Sequence, residues 1–333
     1  MTRKTPALQA AFALSPGAKA EIFSPAAIRR ISSRARLPAN VITGTSWRRQ
    51  TRALARAEVL FSGWGAPVMD EAFLSAAPRL RAVFYAADSV RYFTTPALWR
   101  RGVRLCAAHA ANAVPVSEFV LAALLFGLKQ VLPLAREVRT RRTFPARVSA
   151  PGTYGTRVGL VGYGVAARLL RRRLRDFDLR VSVFDPDLTP AEAAAEQVEL
   201  RPLDAVFAEC EVVSVHAGLH HDNHGLIGAG QLRLLRPMAT FINTARGELV
   251  VEPELIEFLV ARPDVQAVLD VCSPSPPLPS SPLFDLPNVL LTPHLSASHG
   301  EDCRRLGDAM VEEFERFLSG APLRWEIPPA PAA

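Results

Sequence analysis

Gly162, Gly164 and Ala167 stand in the order G-x-G-x-x-A at the end of the apolar run Val158–Val161, and an acid, Asp185, closes a second such run, Arg180–Phe184. Residues of these types at this spacing can hold a dinucleotide. Gly162 permits a tight turn, Gly164 lets backbone approach a pyrophosphate, and a small residue at 167 allows close helix–strand packing. The helix that follows, read over Leu169–Leu174, aims free N–H groups and a partial positive charge at the phosphates. Asp185, roughly 20 residues on, is placed to accept both ribose hydroxyls, which selects NAD over NADP because a 2′-phosphate would meet a carboxylate.

Those residues need a sheet to carry them, and the composition allows one. The chain has 333 residues, 49% of them hydrophobic, enough for two domains with sizeable cores. No apolar run reads as long enough to span a membrane; Pro115–Leu132 comes nearest, interrupted by Glu118 and Lys129. The start, Met1–Lys4, is basic but lacks an apolar stretch with a cleavage site, so no signal peptide is expected. Cys106, Cys210, Cys272 and Cys303 are scattered without metal-ligand spacing, which suits reduced thiols in a cytoplasmic protein. The net charge of +7 comes almost wholly from arginine. The basic runs Arg139–Arg142 and Arg168–Arg175 lack aromatic interleaving and read as solvated helix faces, so neither nucleic acid nor membrane is expected as a partner.

Strands and helices alternate from the start. Strands are expected at Leu8–Leu14, Val59–Ser62, Leu80–Tyr85 and Val103–Cys106, with helices at Pro25–Ile31 behind a Ser24 cap, Glu71–Ala76 behind Asp70, and Thr95–Arg101. A long helix is expected from Pro115 to about Arg142, its apolar residues Phe119, Leu121, Ala122, Leu124, Leu125 and Leu128 nearly ringing it. A second sheet begins at Val158 and continues through Arg180–Phe184, Val212–His216, Thr240–Asn243, Val265–Asp270 and Val289–Leu291. Helices fit between at Pro190–Glu196, Pro202–Ala208, Ala229–Leu235 and Pro253–Ala261. Ser273–Pro282 must be an extended loop. The tail helix Glu301–Leu318, with Leu306, Met310, Phe314 and Leu318 on one stripe, is expected to cross back onto the first sheet. This is the rhythm of two α/β, doubly wound, Rossmann-like domains.

Three further phrases follow the glycine turn: Ile242-Asn243-Thr244-Ala245-Arg246-Gly247, Val268-Leu269-Asp270-Val271 and Leu291-Thr292-Pro293-His294. With the turn they resemble the D-isomer-specific 2-hydroxyacid dehydrogenases, as do Ala111–Glu118, Val213–Leu219 and Gly225–Ile227. The resemblance implies a flavodoxin-like substrate domain over 1–114 and 299–333 and an NAD-binding Rossmann domain over 115–298. Catalysis would take place in the cleft between them, and the protein would be a homodimer formed through the long helix and the loop around Pro115–Gly155. Arg246, just past a strand's carboxyl end, can clamp a substrate carboxylate bidentately and polarise the adjacent carbonyl. His294 can give a proton to the forming alkoxide and take it back in reverse. By resemblance Asp270 lies near the nicotinamide carboxamide, and Val165, Ala166, Ala217, Thr244 and Ala245 line the cofactor, mostly through backbone. His109, His216, His220, His221, His224 and His299 have no matched catalytic position, and the group His220–His224 has no fitting ligand set, so no metal is expected.

The chain departs from the family pattern twice. Ser275 occupies the place of the glutamate that partners the catalytic histidine, and no acid occurs between Ser273 and Asp285. A carboxylate beside an imidazole favours imidazolium and fixes its tautomer; serine offers a hydrogen bond without charge, so less protonated His294 is expected at neutral pH. The glycine-rich turn that gives N–H groups to the substrate carboxylate is here Ala86-Ala87-Asp88-Ser89. Asp88 can face the cleft and repel an anion, place a carboxylate near His294, or point away. Trp47, Trp64 and Tyr85 are candidates for pocket walls, with core packing the alternative for each. Three functions remain open: hydride transfer between NAD and a small anionic 2-hydroxy or 2-oxo acid; an NAD(H)-binding sensor or protein-interaction module with little catalysis; and a changed reaction without proton transfer from His294. Arg246 and His294 favour the first.

Overall fold

Two compact units divide the computed structural model, which describes residues 8–147 and 149–328; the basic start Met1–Lys4 lies outside them. One unit is built from the residues up to Asn112 and those from Ser298 on, the other is Ala113–Ala297. The joints expected at 114/115 and 298/299 thus fall two residues and one residue earlier. The Ser298 N–H donates to the Asn112 side-chain carbonyl at 3.2 Å, so the first unit staples the points where the chain leaves and re-enters it.

The first unit is an all-parallel sheet of β1 (Leu8–Ala13), β2 (Ala35–Arg36), β3 (Val41–Ile42), β4 (Val59–Ser62), β5 (Ala82–Tyr85) and β6 (Arg104–Ala107). Its order is β2-β1-β4-β5-β6, with β3 also paired to β1, a flavodoxin-like winding whose direction reverses between β1 and β4. Ser24 and Asp70 cap their helices as expected, accepting from the Ala27 and Phe73 N–H groups. The sequence reading missed the helix Pro16–Ile22, which Ser15 caps in the same way. The tail helix Asp302–Ser319 returns to this sheet: Leu306, Met310 and Phe314 are fully buried, and the Phe314 ring lies edge-on to Phe61 at 5.1 Å. Leu318, expected on that stripe, is exposed. Beyond the helix the chain turns back along β6. Ala107 N–H donates to Trp325 O and Ile327 N–H to Leu105 O, and Arg104 forks onto Glu326, so the edge of the sheet is covered.

The second unit is also all-parallel: β7 (Arg157–Val161), β8 (Arg180–Phe184), β9 (Glu199–Leu200), β10 (Val212–Val215), β11 (Thr240–Asn243), β12 (Gln266–Leu269) and β13 (Val289–Leu291). The order β13-β12-β11-β10-β7-β8-β9 reverses between β7 and β10. Near-continuous burial of Val, Ile, Leu and Phe in β7, β10 and β11 is what a sheet covered on both faces demands.

The long helix differs most from expectation. It begins at His109, six residues before Pro115, because Ala108 is already bound to the end of β5: its N–H donates to Tyr85 O and Ala87 O. Pro115 therefore lies inside the helix rather than at its start. The helix ends at Leu128, and a separate one runs Val131–Arg141. The break has a packing cause. Gly127 lies so close to Thr240 that a Cβ would come within 2.5 Å of its hydroxyl. Gln130, left-handed at φ 52°, turns its amide onto Gly127 O and Met238 O at 2.9 Å each. By length and composition alone His109–Leu128 could cross a membrane, contrary to the sequence reading. Its stripe Val120, Leu124 and Leu128 is instead packed into the core beside β7. Only that side is buried: Ala122 and Phe126 are exposed, and Phe119, Leu121 and Leu125 are half-buried, so the helix is not enclosed all round.

Candidate active site

The glycine turn forms at the point where the order of the second sheet reverses, the place where open α/β sheets bind ligands. Gly162 has φ +92°, a conformation open to glycine, and a Cβ there would lie 2.4 Å from Ala217 N. The ends of β7 and β10 are thus in backbone contact, tied by His216 N–H donating to Val161 O at 2.7 Å. Gly164 caps the helix Val165–Arg173, and a Cβ on it would meet nothing within 4 Å. The space in front of that helix start is open, and Val165 and Ala166 border it. Ala167 is fully buried against the sheet, as its place in the motif requires. Asp185 stands at the mouth: one carboxylate oxygen accepts the Tyr163 N–H at 2.6 Å and the other the Asp187 N–H at 2.9 Å. A carboxylate has about four lone-pair sites, so capacity for ribose hydroxyls remains. Thr244, at the end of β11, is buried with a hydroxyl that has no hydrogen-bond partner among the described residues. An open cradle, a left-handed glycine, a held acid and an unpaired buried hydroxyl together fit a dinucleotide.

The residues proposed for chemistry follow β11, β12 and β13, three neighbouring strands. After β11, the Asn243 side chain folds the loop on itself, accepting from Ala245 N–H and donating to Arg246 O, both at 3.0 Å. The Arg246 guanidinium lies against Ala245 O at 2.6 Å. Gly247 lets this loop touch the one after β12; a Cβ would stand 2.1 Å from the Cys272 carbonyl carbon. After β12, Asp270 is 1% exposed, and its carboxylate accepts Thr292 Oγ1 at 2.6 Å, Leu295 N–H at 2.8 Å and Ser296 N–H at 2.9 Å. The resemblance placed Asp270 beside the nicotinamide carboxamide; its hydrogen bonds here hold the loop after β13. In that loop His294 is exposed and left-handed at φ 54°, its N–H donating to Thr292 O.

Ser275 lies on the exposed loop after β12, close to the Cys272 thiol. Burial and the nearby charge of Glu252 push that thiol up, against the opposing effect of Ser275. Glu252 in turn accepts the Ser273 N–H at 2.9 Å, and its own acidity is weakened by burial. In the first unit, Ala87 is buried and Asp88 and Ser89 are half-buried. Burial, then the charge of Asp88, push the Tyr85 phenol up to about 12. Trp47 and Tyr85 are core residues, packed on Phe73 and Phe93.

Asn243, Gly247, Thr292 and Ser296 had no assigned role in the sequence reading, although all stand in or next to the quoted phrases. His216 was set aside. It shares a 3.0 Å hydrogen bond with Ser214 Oγ, and burial drives its pKa down to about 4. It is a neutral support beneath the nucleotide turn. Among the described residues no group of three or more His, Cys, Asp or Glu could hold a metal ion.

The pattern called "D-isomer specific 2-hydroxyacid dehydrogenase, NAD binding domain" matches residues 121–296, over half of the chain. This chain belongs to the D-isomer-specific 2-hydroxyacid dehydrogenase family. Its second unit is the family's NAD-binding domain. A D-3-phosphoglycerate dehydrogenase of Mycobacterium tuberculosis is 32% identical over 255 residues, 77% of this chain and 48% of that protein. The chain therefore spans about half the length of that relative. A glyoxylate reductase of Korarchaeum cryptofilum is 28% identical over 267 residues, 79% of each chain. Among solved structures, a phosphoglycerate oxidoreductase from Rhizobium etli shares the fold with a TM-score of 0.81 at 22% identity, covering 96% of this chain and 97% of that one. The NAD-complexed form of a D-isomer-specific 2-hydroxyacid dehydrogenase from Lactobacillus delbrueckii ssp. bulgaricus does so with a TM-score of 0.78 at 17% identity, covering 96% and 99%.

Two expectations follow for this dehydrogenase-family domain. Gly162→Ala, with no room for a Cβ, is expected to weaken NADH binding at least about tenfold in a fluorescence titration while circular dichroism is retained; unchanged affinity would contradict the assignment of the turn. The second concerns pH. Once unfolded, His216 takes up a proton below about pH 6.5, whereas in the folded chain it resists protonation down to about 4. The unfolded state binds more protons in that window, so stability falls as pH drops through it. His216→Gln cannot charge and is expected to flatten the acid-side decline in Tm; an unaltered slope would assign the decline to other groups.

Proposed function

We propose that this protein is an NAD-dependent oxidoreductase that interconverts a 2-hydroxy acid and its 2-oxo acid. The observation that carries the reading is the wiring of the loops after β11, β12 and β13: Gly247 against Cys272 links the Arg246 loop to the next, and Asp270 bonds that strand end to the His294 loop. Bound NAD(H) supplies or accepts the hydride. Gly162, Gly164 and the N–H groups of Val165 and Ala166 cradle the diphosphate, Asp185 takes the ribose, and Ala217, Thr244 and Ala245 line the site. Arg246 leaves Ala245 O to fork onto the substrate carboxylate, which orients the acid and polarises its carbonyl. His294 gives a proton to the alkoxide oxygen during reduction and removes it during oxidation.

Ser275 cannot lend negative charge to an imidazolium as a glutamate would. The missing carboxylate also supports a second reading, an NAD(H)-binding protein of low turnover. Ser275→Glu separates the two. It is expected to raise the rate of 2-oxo acid reduction at neutral pH several-fold, against a parent rate that climbs toward acid pH. His294→Ala is expected to lose about 10²–10⁴ in kcat, and Arg246→Lys to raise KM for the acid. Tight NADH binding with no turnover of any 2-oxo acid, in parent and Ser275→Glu alike, would favour the second reading.

The partner proposed is a second copy of the chain. An apolar groove of about 160 Å³ lies between Phe119, Phe126 and Leu132 on one side and Val268 and Leu290 on the other. Leu290 belongs to β13, which among the described strands pairs only with β12 and so ends the sheet. Phe126 and Leu290 are exposed there, and an apolar face beside a sheet edge is what a copy of the same surface covers in a two-fold dimer. Light scattering is expected to give a dimer for the parent and a monomer for Phe126→Glu; a monomeric parent would remove the proposal.

A further inference from the structure

The two basic runs that read alike in the sequence, as solvated helix faces, differ in the structure. In the helix Val165–Arg173 and the turn after it the arginines are engaged. Arg168 pairs with Glu196 at 3.1 Å and lies over the Tyr163 ring, and Arg171 donates to Gln197 O at 3.1 Å. Arg173 meets Glu118 at 2.6 Å, and Arg175 approaches Glu196 at 3.9 Å. The other run sits on the helix Val131–Arg141, none of whose residues is fully buried. There Arg141 pairs with Glu137 at 3.0 Å. Arg136, Arg139, Arg142 and Arg147 are exposed, and none of them meets a carboxylate among the described residues. Glu137 is the only acid between Glu118 and Asp176, so residues 136–147 hold five arginines against one glutamate, +4 of the chain's +7.

A basic last turn complements the helix dipole, which accounts for Arg139 beside Arg141 but not for Arg136, Arg142 or Arg147. Arg136, Arg139 and the C-cap Arg142 recur every third residue, about 4.5 Å apart along the axis and on one side of the helix. Like charges at that spacing repel, and a bound polyanion relieves the repulsion. Guanidinium groups fork onto phosphates and stack on bases. Phe144, two residues beyond Arg142, is 83% exposed, so an open aromatic face stands between Arg142 and Arg147. A lipid surface fits less well. Val131, Leu132, Leu134 and Val138 are half-buried against the chain itself, and Leu132 and Pro133 line the apolar groove, so the helix has no open apolar face to lay into a bilayer.

We infer that Arg136, Arg139, Arg142 and Arg147, with Phe144, form a binding surface for single-stranded nucleic acid. The arginines hold successive phosphates and the phenyl ring stacks on a base, a mode that tolerates any sequence. The surface lies wholly in the second unit and does not depend on the dehydrogenase reading. Fluorescence anisotropy of a labelled 20-nucleotide oligothymidylate, titrated with the full chain, tests it. At about 50 mM salt the parent is expected to bind with a Kd on the order of 1–100 µM, and its log K to fall against log salt with a slope of about −3, four phosphates at about 0.7 each. The triple variant Arg136→Gln, Arg139→Gln, Arg142→Gln is expected to lose at least about tenfold in affinity and to flatten the slope to about −1. Phe144→Ala is expected to lose at least about fivefold with the slope unchanged. A second triple variant, Arg34→Gln, Arg52→Gln, Arg56→Gln, removes the same charge from exposed positions in the first unit and is expected to bind as the parent does. No binding by the parent, equal losses in the two triple variants, unchanged affinity in Phe144→Ala, or binding to phosphatidylserine vesicles without binding to the oligonucleotide would each overturn the inference.

Discussion

A buried carboxylate holds the candidate site together. Asp270 leaves β12 with almost no solvent contact and gathers a hydroxyl and two backbone N–H groups from the loop after β13. A carboxylate so enclosed is costly unless its acceptor sites are filled, so the 292–296 loop has little freedom to leave it. His294 pays with a left-handed backbone, φ 54°, a conformation that non-glycine residues adopt where the surroundings enforce it. The imidazole is thereby presented at the rim of the sheet rather than folded into it.

The neighbouring loops obey a related constraint, close approach of backbone. Gly162 against Ala217 and Gly247 against Cys272 leave no room for a side chain. The carboxyl ends of adjacent parallel strands are drawn together at two places, one where the nucleotide turn forms and one where the arginine loop meets the serine loop. In such an arrangement the backbone supplies the precision and few side chains are needed for chemistry. His216 fits this pattern as an uncharged support, kept neutral by burial and bonded to Ser214.

Much of this was legible in the sequence because it depends on local pattern. The strands Arg180–Phe184, Thr240–Asn243 and Val289–Leu291 begin and end where short apolar runs and flanking turn residues place them. The Ser24 and Asp70 caps are short-range as well. What could not be read depends on contacts distant in sequence. The long helix stops because Gly127 meets Thr240 and Gln130 meets Met238, more than a hundred residues further on. The same helix starts early because Ala108 is bound to the end of β5, which overrides the usual place of Pro115 at a helix start. Its apolar ring suggested enclosure, yet sequence periodicity does not say whether an apolar face meets the same chain or another. In the site, the types of Arg246, His294 and Asp270 were legible; the use of both Asp270 oxygens to hold the histidine loop was not. Ser275 was legible as a missing carboxylate, and its place near Cys272 became visible with the fold.

In the proposed reaction the Arg246 guanidinium and the His294 imidazole act on one bound acid. A crystal structure of the full chain with NADH and oxamate, an unreactive analogue of a 2-oxo acid, tests it most directly. The oxamate carboxylate is expected to be forked by Arg246, with its carbonyl oxygen within about 3 Å of a His294 ring nitrogen. Oxamate bound elsewhere, or held by Arg246 with His294 turned away from it, would rule out a shared role for the two side chains.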